Sequence, residues 1–189
     1  RLVGSEMCIR DREATVSFAS LVEVSFVRTA QDMRDAVAMV RRVEQRSGRN
    51  VGIVVKLETL ESMQNLPDIL LELMKHERVG VMVARGDMAA ELGIMHMVEA
   101  PRYVVNLCQA AQLPVIIGSN ILETLTDAGQ PTRAEVTDAA WAQQAECVML
   151  NHGKHMVETV EAVGALLSAM DGVQRKNQSL LPSLHEWKR

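Results

Sequence analysis

The clearest strand in the sequence is Val51-Gly52-Ile53-Val54-Val55, and Lys56-Leu57-Glu58 follows it directly. A short apolar run without alternation is typical of a parallel strand that helices cover on both faces. Successive side chains of an extended chain point to opposite faces, so Lys56 and Glu58 share one face. The stretch therefore predicts a buried parallel strand whose end carries a cation beside a carboxylate.

Strand and helix signals alternate on both sides of this stretch. Met33, Val37, Val40 and Val43, for example, recur with the period of a helix that is buried on one face. We predict strands at 21–27, 51–55, 79–83, 114–117 and 147–150, and helices at 30–46, 63–76, 98–112, 133–145 and 157–170. Repeated βα units form parallel sheets with right-handed crossovers. The sequence therefore predicts an α/β fold with five consecutive βα units.

Polar side chains follow the carboxyl end of every predicted strand. They are Ser25 and Arg28, Lys56 and Glu58, Arg85 and Asp87, Ser119 and Asn120, and Asn151 and His152. Active sites of βα barrels are built at this rim, although ordinary polar loops are the alternative. Glu58 and Asp87 follow neighbouring strands and would share one Mg²⁺, since hard cations take carboxylate oxygens. A surface Lys–Glu pair of little energetic weight is the alternative for Lys56 and Glu58.

Composition narrows the class of protein. The chain has 189 residues, 48% of them hydrophobic, with a net charge of -4 and three cysteines. It has no basic run, no apolar run of the ~18 residues that span a membrane, and no cysteine spacing of the metal-binding type. These features argue against nucleic acid and membrane as partners and favour a cytoplasmic protein. The length falls short of the ~250 residues of a complete eight-stranded barrel.

The two ends of the chain differ from the segment between them. Residues 1–12 show no strand or helix period and resemble the conceptual translation of a sequencing adapter, so we exclude them from the fold. Residues 173–189 form a polar C-terminal tail. We therefore expect one partial barrel domain at 13–172.

Several motifs in collinear order resemble the pyruvate kinase family. The first is Val51 to Met63, which looks like the active-site signature of that family. The others lie at 82–88, 114–125, 131–135 and 146–150, and the resemblance runs from Leu21 to Gly164. Collinear motifs are far more specific than any single one. The resemblance implies a (β/α)₈ TIM barrel, of which this chain supplies about the last five units.

The resemblance also implies a role for individual residues. Lys56 matches the catalytic lysine that neutralises the transferring phosphoryl group. Glu58 and Asp87 match the two protein ligands of the divalent metal. Gly86 and Asp87 match the helix start whose N–H groups bind the substrate carboxylate. Ser119 falls where the family usually has a threonine at the substrate-binding and proton-transfer site.

The reaction implied by the resemblance is the final step of glycolysis. Phosphoenolpyruvate and ADP would give pyruvate and ATP, with Mg²⁺ or Mn²⁺ as cofactor and K⁺ bound by ligands upstream of this chain. The parent protein is expected to form a homo-oligomer. We also expect that the first three strands lie upstream, that this chain lacks both the inserted lid domain and the family's allosteric C-terminal domain, and that this fragment alone is inactive.

Three departures from the family pattern keep other functions open. Ala89 replaces the usual glycine, Asn120 replaces the usual glutamine, and Asn151-His152-Gly153-Lys154 replaces the usual Ser-Gly-Glu-Thr loop. One alternative is another Mg²⁺-dependent barrel enzyme of the phosphoenolpyruvate/pyruvate type, such as an aldolase or lyase. The other is a pyruvate kinase-like protein that binds a metabolite or partner without catalysis.

Overall fold

The computed structural model describes residues 19–171. The predictions for residues 1–12 and 173–189 lie outside this range. The chain divides into two compact units, with the boundary between Met82 and Val83.

Five strands are present in the described part of the chain, in the order that the sequence predicts. They are β1 (Leu21–Val24), β2 (Gly52–Leu57), β3 (Val79–Ala84), β4 (Val115–Ile121) and β5 (Cys147–Leu150). They form one sheet in the order β1-β2-β3-β4-β5, and the pairs β1–β2 and β4–β5 are parallel. A sheet whose order follows the chain is the product of successive βα units, which confirms the predicted α/β class.

The helices alternate with these strands. They are α1 (Ala30–Ser47), α2 (Leu60–Gln64), α3 (Leu66–Leu73), α4 (Arg85–Leu92), α5 (Ala100–Ala110), α6 (Glu123–Ala128), α7 (Arg133–Ala142) and α8 (Met156–Asp171), with a 3₁₀ helix at Ile94–Val98. No helix within residues 19–171 is long and apolar enough to cross a membrane.

Helix α1 shows how the sequence specifies the first unit. The Thr29 side chain accepts a hydrogen bond from the Asp32 N–H, and Asp32 in turn accepts from the Thr29 N–H, so a capping box starts the helix. Gly48, with a left-handed φ of 69°, ends it. The predicted apolar stripe is buried and packs against α3. Local signals at both ends and along one face therefore fix this helix.

Some predicted boundaries in the first unit were wrong. The first strand ends at Val24 rather than at residue 27, because the backbone turns at Phe26, which has a φ of 55°. The predicted helix at 63–76 is two short helices that meet at Asn65. Pro67 stands in the first turn of the second helix, where its missing N–H is tolerated.

Larger differences occur in the second unit. Helices α4 and α6, which follow β3 and β4 directly, were not predicted. Ser119 and Asn120 were expected to follow a strand at 114–117, yet they lie within the bounds of β4. Strand β4 pairs Ile117 with Val148 and Ile121 with Leu150, so it advances four residues while β5 advances two. This bulge carries Ser119 and Asn120.

Candidate active site

Strand β2 delivers Lys56 and Glu58 to one place, as the sequence predicts. The Lys56 Nζ lies 2.7 Å from the Glu58 Oε1. The Glu58 side chain is fully buried, whereas 20% of the Lys56 side chain is exposed. The Phe26 N–H donates to the Glu58 Oε2 at 2.7 Å. The carboxylate is therefore held from two sides, by a cation and by a backbone amide.

The two oxygens of Glu58 are not equally satisfied. Oε2 accepts the hydrogen bond from Phe26, but Oε1 is buried and accepts no aligned hydrogen bond. The short distance from Oε1 to the Lys56 Nζ therefore marks an ion pair whose angles are poor for a hydrogen bond. Oε1 retains lone pairs that a further cation could share.

Ser25 and Arg28 are the other residues predicted at this end of the first unit. Ser25 is half-buried, and Arg28 is exposed. The Arg28 carbonyl accepts from the Asn65 Nδ2 at 3.0 Å, and the Arg28 N–H donates to the Asp32 carboxylate. The backbone of Arg28 thus helps to fix the turn between β1 and α1.

In the second unit, helix α4 begins as strand β3 ends. Its N-cap residue is Ala84, and no side chain caps the first turn. Gly86 and Asp87 lie in that turn and are exposed. The uncapped N–H groups and the helix dipole favour an anion at this position.

The hydroxyl of Ser119 lies directly over Gly86. A Cβ atom built on Gly86 would come within 3.3 Å of the Ser119 Oγ, which is tighter than most such contacts. A larger residue at position 86 would therefore displace the hydroxyl or the helix start. The structure brings these two predicted residues together within the second unit.

Arg85 joins helix α7 to strand β4 in the second unit. Its Nη1 donates to both oxygens of Asp138 at 2.6 Å, and its Nη2 donates to the Ser119 carbonyl at 2.8 Å. The sequence predicted Arg85 at this rim but missed Asp138, which comes from helix α7. Asp138 belongs to no local motif, and only the observation that Arg85 needs a carboxylate could have pointed to it.

A cleft of about 890 Å³ opens beside these groups. Its lining includes Arg85, Gly86, Ser119, Asn120 and Trp141. Arg102 and Arg133 also line the cleft. Together with Arg85 they give its lining three positive side chains, against the one carboxylate of Asp138. Ser119 and the start of α4 therefore lie in a concave, positively charged part of the surface.

Two of the departures from the family pattern contact each other. The Asn151 Nδ2 donates to the Asn120 Oδ1 at 3.0 Å, and the Asn120 N–H donates to the Asn151 Oδ1 at 3.3 Å. The neighbouring His152 is exposed. Ala89, the third departure, lines the cleft.

Within residues 19–171, no group of three or more His, Cys, Asp or Glu side chains is arranged to hold a metal.

The fold and these groups define a parallel α/β protein that gathers charged side chains near the carboxyl ends of its strands. Residues 10–160 match the family model for the barrel domain of pyruvate kinase. The chain therefore belongs to the pyruvate kinase family.

Curated relatives agree with this family. The pyruvate kinase of Leishmania mexicana is 35% identical over 147 residues, which are 75% of this chain and 28% of the relative. The pyruvate kinase of Kluyveromyces lactis is 38% identical over 133 residues, which are 69% of this chain and 25% of the relative. The pyruvate kinase of Eimeria tenella is 31% identical over 159 residues, which are 81% of this chain and 28% of the relative. The chain spans about a quarter of the length of these relatives.

Proposed function

We propose that the protein transfers a phosphoryl group from phosphoenolpyruvate to ADP and gives pyruvate and ATP. The observation that carries the proposal is the Lys56–Glu58 pair, which lies at the end of a buried strand within the segment that matches the family. In the reaction, the bond between phosphorus and the enol oxygen breaks, and a bond to the terminal phosphate oxygen of ADP forms. The enolate carbon then takes a proton.

Lys56 is the catalytic group for phosphoryl transfer in this proposal. Its ammonium is held by the buried Glu58 carboxylate at 2.7 Å, while part of the side chain remains exposed. A cation fixed in this way stabilises the charge on the phosphoryl oxygens in the transition state without reorganisation.

Glu58 and Asp87 would hold the divalent metal, Mg²⁺ or Mn²⁺. The two carboxylates fit this role individually, because Oε1 of Glu58 accepts no hydrogen bond and Asp87 is exposed in the first turn of α4. Carboxylate oxygens are the ligands that hard cations prefer. When bound, the metal supplies Lewis-acid stabilisation of negative charge on the substrate oxygens.

The start of helix α4 would bind the substrate carboxylate. The uncapped N–H groups of Gly86 and Asp87 and the positive end of the helix dipole support this assignment. Ser119, whose hydroxyl lies over Gly86, would bind the substrate beside them and assist protonation of the enolate carbon. The hydroxyl is the group that the family's threonine and this serine share.

Other parts of the proposal rest on the family resemblance and, for the cytoplasmic location, on the composition of the sequence. We propose a complete (β/α)₈ barrel in the parent protein, a K⁺ site with ligands upstream of this chain, a homo-oligomeric parent and a cytoplasmic location. Within the barrel, residues 13–172 would supply about the last five βα units.

Substitution of Lys56 tests the catalytic assignment. In the longest reading frame that encodes this chain, Lys56→Met should lower kcat by ~10²-fold or more and change the KM for phosphoenolpyruvate less. Ser119→Ala should slow exchange of the methyl protons of pyruvate more than it slows phosphoryl transfer. Lys154→Ala, an exposed change outside the proposed machinery, is the matched control. Equal kcat values in the Lys56 variant and the wild type would reject the role of Lys56.

A further inference from the structure

The bulge in β4 leaves backbone groups without their usual partners in the sheet. Between Ile117 and Ile121, β4 has two more residues than the facing part of β5. Residues in a bulge leave the hydrogen-bonded ladder, and their N–H groups need other acceptors. The Asn120 N–H is such a group, because its residue has a left-handed φ of 62° and lies within the bulge.

The side chain of Asn151 takes the place of the missing backbone partner. Its Oδ1 accepts from the Asn120 N–H at 3.3 Å, and its Nδ2 donates to the Asn120 Oδ1 at 3.0 Å. The same Nδ2 lies 3.4 Å from the Glu123 Oε1, at the start of α6. We name the two hydrogen bonds between Asn120 and Asn151 the asparagine clasp. An amide side chain offers, on neighbouring atoms, both the acceptor and the donor that the clasp uses.

The loop that carries Asn151 is itself held against helix α6. A Cβ atom built on Gly153 would lie 2.5 Å from the Thr126 Cγ2 and 2.6 Å from the Thr126 oxygen, so only glycine fits there. The His155 N–H also donates to the Thr126 carbonyl at 2.9 Å. These contacts fix the loop and hence the position from which Asn151 reaches the bulge.

Ser119 is consequently held from both sides. Its carbonyl accepts from the Arg85 Nη2 at 2.8 Å, and Arg85 is anchored by Asp138. The next residue, Asn120, is held by Asn151. The backbone is thus fixed on both sides of the Ser119 side chain, whose hydroxyl lies over Gly86.

We propose that Asn151 is a positioning residue, which sets the place of the Ser119 hydroxyl through the asparagine clasp. The inference rests on the proposed function for the role of Ser119, but the clasp itself does not. The clasp also gives a physical reason why the departures at Asn120 and Asn151 occur together in one chain. Asparagine adopts the left-handed backbone conformation of position 120 more readily than most residues do, and it is matched by an amide at position 151.

Amide hydrogen exchange tests the clasp without any substrate. In the longest reading frame that encodes this chain, Asn151→Ala should speed exchange of the residue-120 amide by about tenfold, as expected for the loss of one hydrogen bond. Lys154→Ala, on the same loop, should change nothing. Equal exchange in the wild type and in Asn151→Ala would overturn the proposal.

Steady-state kinetics tests the positioning role. Asn151→Ala should lower kcat by about tenfold with little change in the KM for phosphoenolpyruvate, because misplacing a reacting group mainly slows the chemical step. Asn120→Gly, which keeps the left-handed backbone of position 120, should make the Asn151→Ala variant no slower when the two are combined, since both residues act through one clasp. Faster amide exchange with an unchanged kcat would overturn the positioning role. An inactive wild type would contradict the proposed function, while the exchange rates would still decide the clasp.

Discussion

The ion pair between Lys56 and Glu58 predicts that Lys56→Met lowers the free energy of unfolding more than Glu58→Gln does. Lys56→Met leaves the Glu58 carboxylate, whose side chain is fully buried, with the Phe26 N–H alone. Removing one partner of a buried pair costs about 3–5 kcal/mol. Because the cation was partly exposed, we expect the lower end of this range, about 3 kcal/mol.

Glu58→Gln should cost less than Lys56→Met. The Lys56 side chain is 20% exposed, so its ammonium can turn towards water when the carboxylate is gone. The glutamine oxygen can still accept from the Phe26 N–H. The loss is then that of the ion pair with a partly exposed cation, about 1 kcal/mol. The double variant leaves no buried charge, and we expect a loss of about 2 kcal/mol rather than the sum of the single losses.

Urea unfolding, followed by circular dichroism of the helices, measures these differences as shifts of the midpoint at constant slope. Arg34 forms an exposed ion pair with Glu72 in the same unit and offers a matched control. Arg34→Met should cost less than about 1 kcal/mol. Equal losses in Lys56→Met and Glu58→Gln, together with additive effects in the double variant, would refute the reasoning.

Three further predictions concern the metal, a buried thiol and a helix cap. Glu58→Gln and Asp87→Asn should each weaken Mn²⁺ binding, measured by electron paramagnetic resonance, because each removes a proposed ligand. At about pH 8 a thiol reagent should label exposed Cys147 and spare Cys108, since burial, aided by the charge of Glu146, raises the pKa of Cys108 to about 12. Burial alone would raise the pKa of Glu135, but hydrogen bonds from Thr132 and Thr124 lower it, so the stability that this carboxylate contributes should be lost as the pH falls below about 4.5.

Controls and contrary outcomes differ among these three. For the metal, Glu91→Gln changes an exposed carboxylate later in α4 and should leave Mn²⁺ binding intact, whereas unchanged binding in both ligand variants would remove the metal role. Labelling of Cys108 in the folded protein as fast as in urea would contradict its burial. Glu135→Gln should flatten the loss of melting temperature between about pH 5 and about pH 3, and an unaltered pH dependence in that range would count against the cap.

The sequence predicted those parts of the fold whose signals are local. The strand at 51–55 and the helix at 30–46 agree closely with β2 and α1, because apolar periodicity and capping residues mark them within a few positions. Helices α4 and α6 have only eight and six residues, too few for a helical period to stand out. The bulge in β4 depends on pairing with β5, which no local pattern of the fourth strand encodes.

In the candidate site, too, the sequence predicted local contacts but not those between residues far apart in the chain. Lys56 and Glu58 are two residues apart on one strand, so the period of an extended chain was enough to predict their pairing. Arg85 and Asp138 are 53 residues apart, and Asn120 and Asn151 are 31 apart. Contacts at such distances follow from the tertiary fold. Sequence reasoning placed Asn120 and Asn151 at the same rim and noted each as a departure from the family pattern, whereas the structure shows them in contact.

The most direct test of the proposed function is the dependence of pyruvate formation on ADP. The longest reading frame that encodes this chain should be assayed with phosphoenolpyruvate, Mg²⁺ and K⁺, with and without ADP, and both pyruvate and ATP should be measured. The proposal predicts that pyruvate forms only with ADP and that one ATP appears for each pyruvate. Pyruvate formed at the same rate without ADP would indicate a different reaction of the barrel enzymes, and binding of phosphoenolpyruvate without turnover would indicate a non-catalytic member of the family; either result would contradict the account.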